Sequence, residues 1–457
     1  MKRLFVAGIL ALSASVAVFA QDFKTGYFLD NYVYGYRINP GAPVGDETYT
    51  FFSVGLGNIS AEARSNLSMA SFLNSSRDAW IIDSSVSPSE ALSGFSENNS
   101  LGLNANVNIL TFGRETDHNR FSIELNARSD SYFNLPLSAI SSVKGALDGL
   151  ATDVWPSSYN FSDLILNANA YTEIAFGYTH KIGDQLTIGG RIKGLVGFAS
   201  VNADIAADVS IINQKTPLET VNGKLSGNLD IASPMDMGFK TYDKGGEPYI
   251  DLYGSLSDPS FLPDAFANKH RHITGWGAGV DLGVTYEPVD GLTLSLSALD
   301  LGVISWERTH GGQFCFDESI LTDTESDNTL GKRILSLKAT EGGRNAIPLN
   351  YTIHAGAKYR MPFYDKWSVG LLGTLQQHNK EVRLGTDITP IDFLSLAGSF
   401  GIGTYGADFG LALNINLPFL DFFVGTDAIV LPSGPVKPIY GTKVNSLLTT
   451  GLVITIR

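Results

Sequence analysis

The stretch Tyr405-Gly406-Ala407-Asp408-Phe409-Gly410-Leu411-Ala412-Leu413-Asn414-Ile415-Asn416-Leu417 decides the fold. Successive side chains of an extended chain point to opposite faces. Tyr405, Ala407, Phe409, Leu411, Leu413, Ile415 and Leu417 therefore form one apolar face, opposed by Gly406, Asp408, Gly410, Ala412, Asn414 and Asn416. Such a strand fits a barrel wall with lipid outside and water inside. The pattern returns upstream, where Trp276, Ala278, Val280, Leu282, Val284 and Tyr286 oppose Gly275, Gly277, Gly279, Asp281, Gly283 and Thr285. An aromatic stands at each end, as membrane girdles require. In residues 351–360, Ile353, Ala355, Ala357 and Tyr359 take the lipid side, and His354, Lys358 and Arg360 face inward.

Outward from these strands, the connections are of two kinds. Residues 181–185, 287–291, 361–365, 389–391 and 418–420 are brief and marked by Pro, Gly or Asp, as tight turns are. Residues 70–98, 130–163, 200–272 and 306–349 are long and rich in Ser, Asn, Asp and Gly. Short turns alternating with long loops are the connectivity of an outer-membrane barrel. The expected strands are 48–67, 101–111, 121–130, 166–180, 186–199, 274–286, 292–304, 351–360, 366–377, 381–388, 392–402, 404–417, 420–430 and 447–457, about fourteen in all. Residues 201–231 also alternate, and either extend two strands above the membrane or add a pair, for up to about sixteen. A soluble β-sandwich shares the period but buries its apolar face. The export signal, the strand lengths and the loop pattern favour the barrel: all-β, transmembrane and antiparallel.

The export signal occupies residues 1–20. Lys2 and Arg3 precede an apolar run over 4–18, and Val18-Phe19-Ala20 sets up cleavage before Gln21. No cysteine stands there, which argues against a lipoprotein anchor at that site. Downstream, no apolar stretch approaches the ~20 residues of a membrane helix, which leaves a barrel as the way to span. The mean hydropathy of +0.05 reflects alternation averaging the two faces. The expected location is the outer membrane of a Gram-negative bacterium, with lipid and the barrel-assembly machinery as partners. A net charge of −14 argues against nucleic acid. Cys315 is the only cysteine, so no disulfide framework forms within the chain.

Two segments do not read as wall. Residues 21–46 carry Tyr32, Tyr34, Tyr36 and Ile38 on one side, with Arg37, Asn39, Pro40 and Gly41 following, and read as a hatch ahead of the barrel at 47–457. Tyr32, Tyr34, Tyr36, Arg37, Asn39 and Pro40 are the candidate hatch and ligand-path residues. His354, Lys358, Arg360, Asp408, Asn414 and Asn416 are the candidate lumen lining. Leu137, Ile140, Leu147 and Leu150 recur near helical spacing, so a short amphipathic helix is expected within 134–151.

Catalysis needs a nucleophile, a base and an orienter at one point. The seven histidines are scattered. His118 and His180 fall at turns, His270, His272 and His310 in loops, His378 at a strand end, and His354 alone points inward. His270-Arg271-His272 offers two imidazoles with no carboxylate close by, too few for a metal. The acidic run Asp317, Glu318, Asp323, Glu325 and Asp327 lacks the ordered spacing of a calcium loop. Gly401-Ile402-Gly403-Thr404-Tyr405-Gly406 matches a dinucleotide fingerprint in letters but joins two strands and opens no helix. The reading is a non-enzyme without cofactor or metal.

The run Tyr27-Phe28-Leu29-Asp30-Asn31-Tyr32, then Tyr36-Arg37-Ile38-Asn39-Pro40-Gly41, then Val54-Gly55-Leu56-Gly57-Asn58-Ile59, resembles an uncharacterised outer-membrane β-barrel family of Bacteroidota. That family shows an aromatic patch, Asn-Pro-Ala and a glycine-rich first strand, and here Gly41-Ala42 shifts the alanine by one. More distantly, Asn39-Pro40 ahead of the strands is similar to FadL-type fatty-acid transporters and to type IX secretion barrel proteins. The resemblance implies an N-terminal segment that plugs the lumen and moves when ligand binds. Barrels commonly end in an aromatic, whereas this chain places Leu452, Ile454 and Ile456 on the lipid face and ends in Arg457. The expected function is a passive channel or transporter for hydrophobic or amphipathic small molecules. The alternative is a structural or secretion-associated barrel that docks a secreted or surface protein through its long loops.

Overall fold

The computed structural model describes residues 23–456 except 46, 56, 75, 77–78, 82, 84, 153–157, 213–219, 235–236, 257, 259, 261–272, 322–335, 341 and 430–442. The signal-peptide reading, His270, His272, Asp323, Glu325, Asp327 and Arg457 lie outside the described residues.

Alternating sequence becomes antiparallel strands because each can bury its backbone polar groups in two neighbours while its apolar side chains point outward. The strands are β1 (Tyr49–Val54), β2 (Ile59–Ser68), β3 (Asn98–Glu115), β4 (Asn119–Pro136), β5 (Ser158–Ile182), β6 (Leu186–Ile212) and β7 (Thr220–Ala232). Next come β8 (Thr241–Lys244), β9 (Glu247–Asp251), β10 (Gly275–Val289), β11 (Leu292–Glu307), β12 (His310–Leu321), β13 (Ser336–Ala339) and β14 (Arg344–Pro348). The last are β15 (Thr352–Arg360), β16 (Trp367–Gln376), β17 (Lys380–Ile391), β18 (Leu394–Gly403), β19 (Gly406–Leu417), β20 (Leu420–Ile429) and β21 (Lys443–Ile456).

The wall runs from β1 and β2 through β3, β4, β5, β6, β10 and β11 to β14 and β15, then through β16, β17, β18, β19 and β20 to β21. It closes where β21 pairs with β1 and β2, Thr50 opposite Ile456 and Ile59 opposite Thr450. β1 with β2, and β14 with β15, each serve as one interrupted strand, so the barrel has fourteen. Leu384, Ile402 and Leu411, like Ile192 and Trp276, point out and stay exposed, forming the apolar belt of a membrane barrel. Among the described residues no helix is long and apolar enough to cross a membrane.

Several expectations are corrected. Of the two alternatives for residues 201–231, the described residues extend strands beyond the wall and add no pair to it. The upper half of β6 leaves β10 and pairs with β7, and the sheet continues through β12, β13, β9 and β8 beyond the rim. This projecting sheet has its own core of Leu225, Ile250, Leu252, Phe314, Phe316 and Leu337, which is why it forms without lipid. Much of 130–163 and 306–349 is therefore not loop, and His310 begins β12. The expected amphipathic helix spans Leu137–Thr152, at the long-loop end, where Ile140 packs with Ile81, Val86 and Ala91. Strand 48–67 is broken at 55–58, where Gly55 takes φ 74° and the register to β3 shifts from Val54 opposite Leu110 to Ile59 opposite Val107. Tyr405 is buried and not on the lipid face, because Thr404 and Tyr405 make the turn from Gly403 to its partner Gly406 (φ 107°), and alternation starts only after it.

Candidate functional site: a plugged lumen

The inward face of the wall is crowded with ions and small residues, and residues 23–45 are threaded among them. The segment opens as a short turn of helix, Lys24–Tyr27, and turns again at Gly35–Ile38. The carboxylate of Asp427 accepts from the backbone nitrogens of both Lys24 (2.6 Å) and Thr25 (2.7 Å). Lys24 Nζ lies 2.9 Å from Glu381, which also receives Arg64 (2.8 Å) and Arg383 (2.8 Å). Arg383 continues to Asp408 at 2.5 Å. This first ionic cluster locks the start of the segment to β17, β19 and β20.

The middle of the segment carries the aromatics. Tyr34 and Tyr36 pack with Phe51, Phe423 and Val453, all buried. Tyr32 meets Phe423 edge to face, ring centres 5.0 Å apart. Burial pushes the Tyr34 phenol up to about 12, and burial, with the Glu124 carboxylate next, pushes Tyr36 well above its ordinary value. Both phenols are thus neutral hydrogen-bond donors, and Tyr36 donates to Glu124. The Arg37 guanidinium stacks on Tyr34 (4.1 Å) and pairs with Glu124 (2.9 Å). Glu124 leads into a second cluster. Arg191 joins it to Asp281, Lys193 bridges Asp281 (2.7 Å) and Asp300 (2.5 Å), and Arg128 grips Asp300 with two bonds (2.8 and 2.9 Å) and Glu173. Four cations face four carboxylates there, so a set of charges that would be costly singly is mutually neutralised.

The end of the segment is held through its backbone. Ser297 donates to Ile38 O (2.7 Å), Thr179 to Pro40 O (2.7 Å), and Arg120 to Ala42 O (3.2 Å) and Pro43 O (2.7 Å). Asn39 donates to Thr285 Oγ1 at 2.9 Å. These contacts need wall positions without side chains. A Cβ on Gly189 would lie 2.0 Å from Pro40 O, and one on Gly283 2.0 Å from Asn39 Oδ1. Glycine is the one residue that admits this close approach.

The structure thus brings Tyr32, Tyr34, Tyr36, Arg37, Asn39 and Pro40 together inside the barrel. Of the lumen residues, Lys358 reaches Phe28 O (2.6 Å) and Asp30 (2.5 Å), and Asn414 donates to Asn31 O (3.2 Å). Asp408 is in the first cluster. His354 is buried beside Thr374, its Nδ1 2.9 Å from the hydroxyl. Arg360 and Asn416 line a vestibule of about 1170 Å³ at the short-turn end, together with Tyr27, Asp30 and Arg120. Sequence reading missed the ionic clusters. Glu124, Arg128, Glu173, Arg191, Lys193, Asp281 and Asp300 stand at inward positions of their strands, and charges repeated on one face of five adjoining strands were the available signal. Among the described residues no His/Cys/Asp/Glu group is disposed to hold a metal.

Similar solved structures include a mutant of the TodX monoaromatic hydrocarbon channel (TM-score 0.43, 10% identity, 94% of this chain and 95% of that one). The Pseudomonas putida toluene transporter TodX gives a TM-score of 0.37 at 8% identity over 93% and 92% of the two chains. A Pseudomonas aeruginosa FadL homologue gives 0.33 at 9% identity over 90% and 89%. No curated protein sequence matches the chain. The family of unknown function DUF5723 matches over residues 40–427, most of the sequence, and the chain belongs to that family.

Proposed function

We propose that this protein is a gated, passive outer-membrane channel for hydrophobic or amphipathic small molecules, with residues 23–45 as the gate and the short-turn end in the periplasm. The observation that carries the reading is how the plug is held. It fills the lumen, yet every described contact to the wall is a hydrogen bond, an ion pair or an apolar seat, each worth about 1 kcal/mol net or a few for charged pairs. A plug so held is reversible, and the vestibule of about 1170 Å³ beside it gives room for movement.

The experiment uses a lock. Thr25 Oγ1 and Ser399 Oγ are 2.7 Å apart, so cysteines at both positions sit close enough to bridge. In a Cys315→Ser background, vesicles carrying Thr25→Cys/Ser399→Cys protein should take up a fluorescein-tagged acyl chain when reduced and not when oxidised. Deletion of residues 21–46 should leave uptake constitutive. Background uptake in the reduced, oxidised and deleted forms alike would end the transport reading, and equal uptake in reduced and oxidised forms would end the gate.

A second reading, docking of a secreted or surface protein, is favoured by the sheet of β7, β12, β13, β9 and β8 beyond the rim. Crosslinking in intact cells should then recover one recurrent protein only while 220–251 and 310–339 are present.

A further inference from the structure

The long-loop end of the barrel, opposite the vestibule, is crossed by a pair of stacked rings. Tyr132, near the end of β4, and His378, in the connection from β16 to β17, lie with ring centres 3.6 Å apart and planes 5° from parallel. Tyr132 shares the inward face of β4 with Arg128 and Asp130. Counted along the closed wall from β1 and β2, β4 is the third strand and β17 the tenth of fourteen. Half the circumference separates the two residues, so their side chains bridge the mouth.

Each ring is mounted on a braced support. On the His378 side, Gln376 N donates to Asn379 O (2.7 Å), and Thr404 N donates to Lys380 O (2.9 Å), which ties this turn to the next one at 404–405. The Tyr405 hydroxyl donates to His378 O at 3.4 Å. On the Tyr132 side, β4 runs directly into the helix Leu137–Thr152, which packs through Ile140 on Ile81, Val86 and Ala91. Leu137 N donates to Glu97 O (2.9 Å), and Asn99 Nδ2 to Leu135 O (3.0 Å). The stack between these supports is weak by comparison. A face-to-face sandwich is the less favoured aromatic geometry, and a ring pair shifts an equilibrium by only about two- to tenfold. Both rings are also part-exposed, so neither is locked into a core.

We propose that the Tyr132–His378 stack is an outer latch, a second barrier in series with the plug, which opens when the two rings separate while their supports stay folded. Its role in passage rests on the channel reading above. A molecule arriving at the long-loop end meets the rings first. The plug comes next, since Glu381, three residues beyond His378, holds Lys24 Nζ at 2.9 Å. Two barriers that open separately let one stay shut while the other yields, which keeps the lumen from standing open end to end.

The test is the rate at which fluorescein maleimide labels single cysteines in the purified full-length Cys315→Ser protein in detergent. Gly102 of β3 stands opposite Tyr132, and Asn104, two residues deeper, is the reporter beneath the rings. Asn416→Cys in the vestibule is the open reference, and Asn414→Cys reports on the plug. Asn104→Cys should label more slowly than Asn416→Cys. Tyr132→Ala and His378→Ala should each raise the Asn104→Cys rate about two- to tenfold, the worth of the stack, and Tyr132→Phe, which keeps a ring, should not. Heat-modifiable migration in electrophoresis checks that each variant is folded. Labelling of Asn104→Cys as fast as Asn416→Cys, an unchanged rate in either alanine variant, or a rise in Tyr132→Phe equal to that in Tyr132→Ala would each overturn the latch. Slow Asn104→Cys with fast Asn414→Cys would leave the latch standing and remove the plug as gate; fast Asn104→Cys with protected Asn414→Cys would do the reverse.

Discussion

At the scale of single residues, the lumen is governed by what each buried charge has beside it. Arg191 is the clearest case, since it alone joins Glu124 at the plug to Asp281 on β10. Arg191→Met should leave two buried carboxylates short of a cation and cost about 3–5 kcal/mol, read as a lowered urea midpoint of the folded barrel. Leu411 marks the opposite environment, 56% exposed on the outer face. Leu411→Arg should cost about 2–4 kcal/mol in lipid vesicles, the mid-membrane cost of a cation on the lipid face of a barrel. Alternation made Leu411 legible, and it made Asp408 and Asn414 legible as inward residues. It could not say that Asn414 would be covered, because the residue that covers it, Asn31, is hundreds of positions away.

At the scale of elements, the plug is seated by glycines of the wall. Gly189 and Gly283 leave space for Pro40 and Asn39 on the strands that flank them. Gly283→Val should unseat the end of the plug while leaving the outward face of β10 intact. The measurement is limited proteolysis of vesicle-borne protein, with cleavage expected within 23–45 in the variant and protection in the wild type. In sequence, the repeated glycines of β10 read only as a small inner face. Their purpose needed the plug in place. The long connections were misjudged for a related reason. β7, β12, β13, β9 and β8 are short or distant in sequence, and their pairing depends on the apolar cluster around Phe314 and Leu337, which no local period announces. The break between β1 and β2 was likewise hidden, since Tyr49 to Ser68 keeps an alternating look on both sides of residues 55–58.

At the scale of the whole molecule, the protein is a closed barrel of fourteen strands whose lumen is occupied by its own residues 23–45. Strand alternation and the rhythm of turns and loops carried the architecture, because both follow from one lipid boundary acting along the whole chain. The closed state is a property of distant pairs such as Lys24 with Glu381 and Arg37 with Glu124, and was not readable locally. The most direct measurement is labelling of single cysteines by a membrane-impermeant thiol reagent in vesicles, with Cys315→Ser as background. Asn416→Cys, in the vestibule, should label and Leu411→Cys should not. Asn414→Cys, 1% exposed under the plug, should resist labelling in the full chain and label once residues 21–46 are deleted. Equal labelling of Asn414→Cys with and without that segment would contradict a plugged lumen.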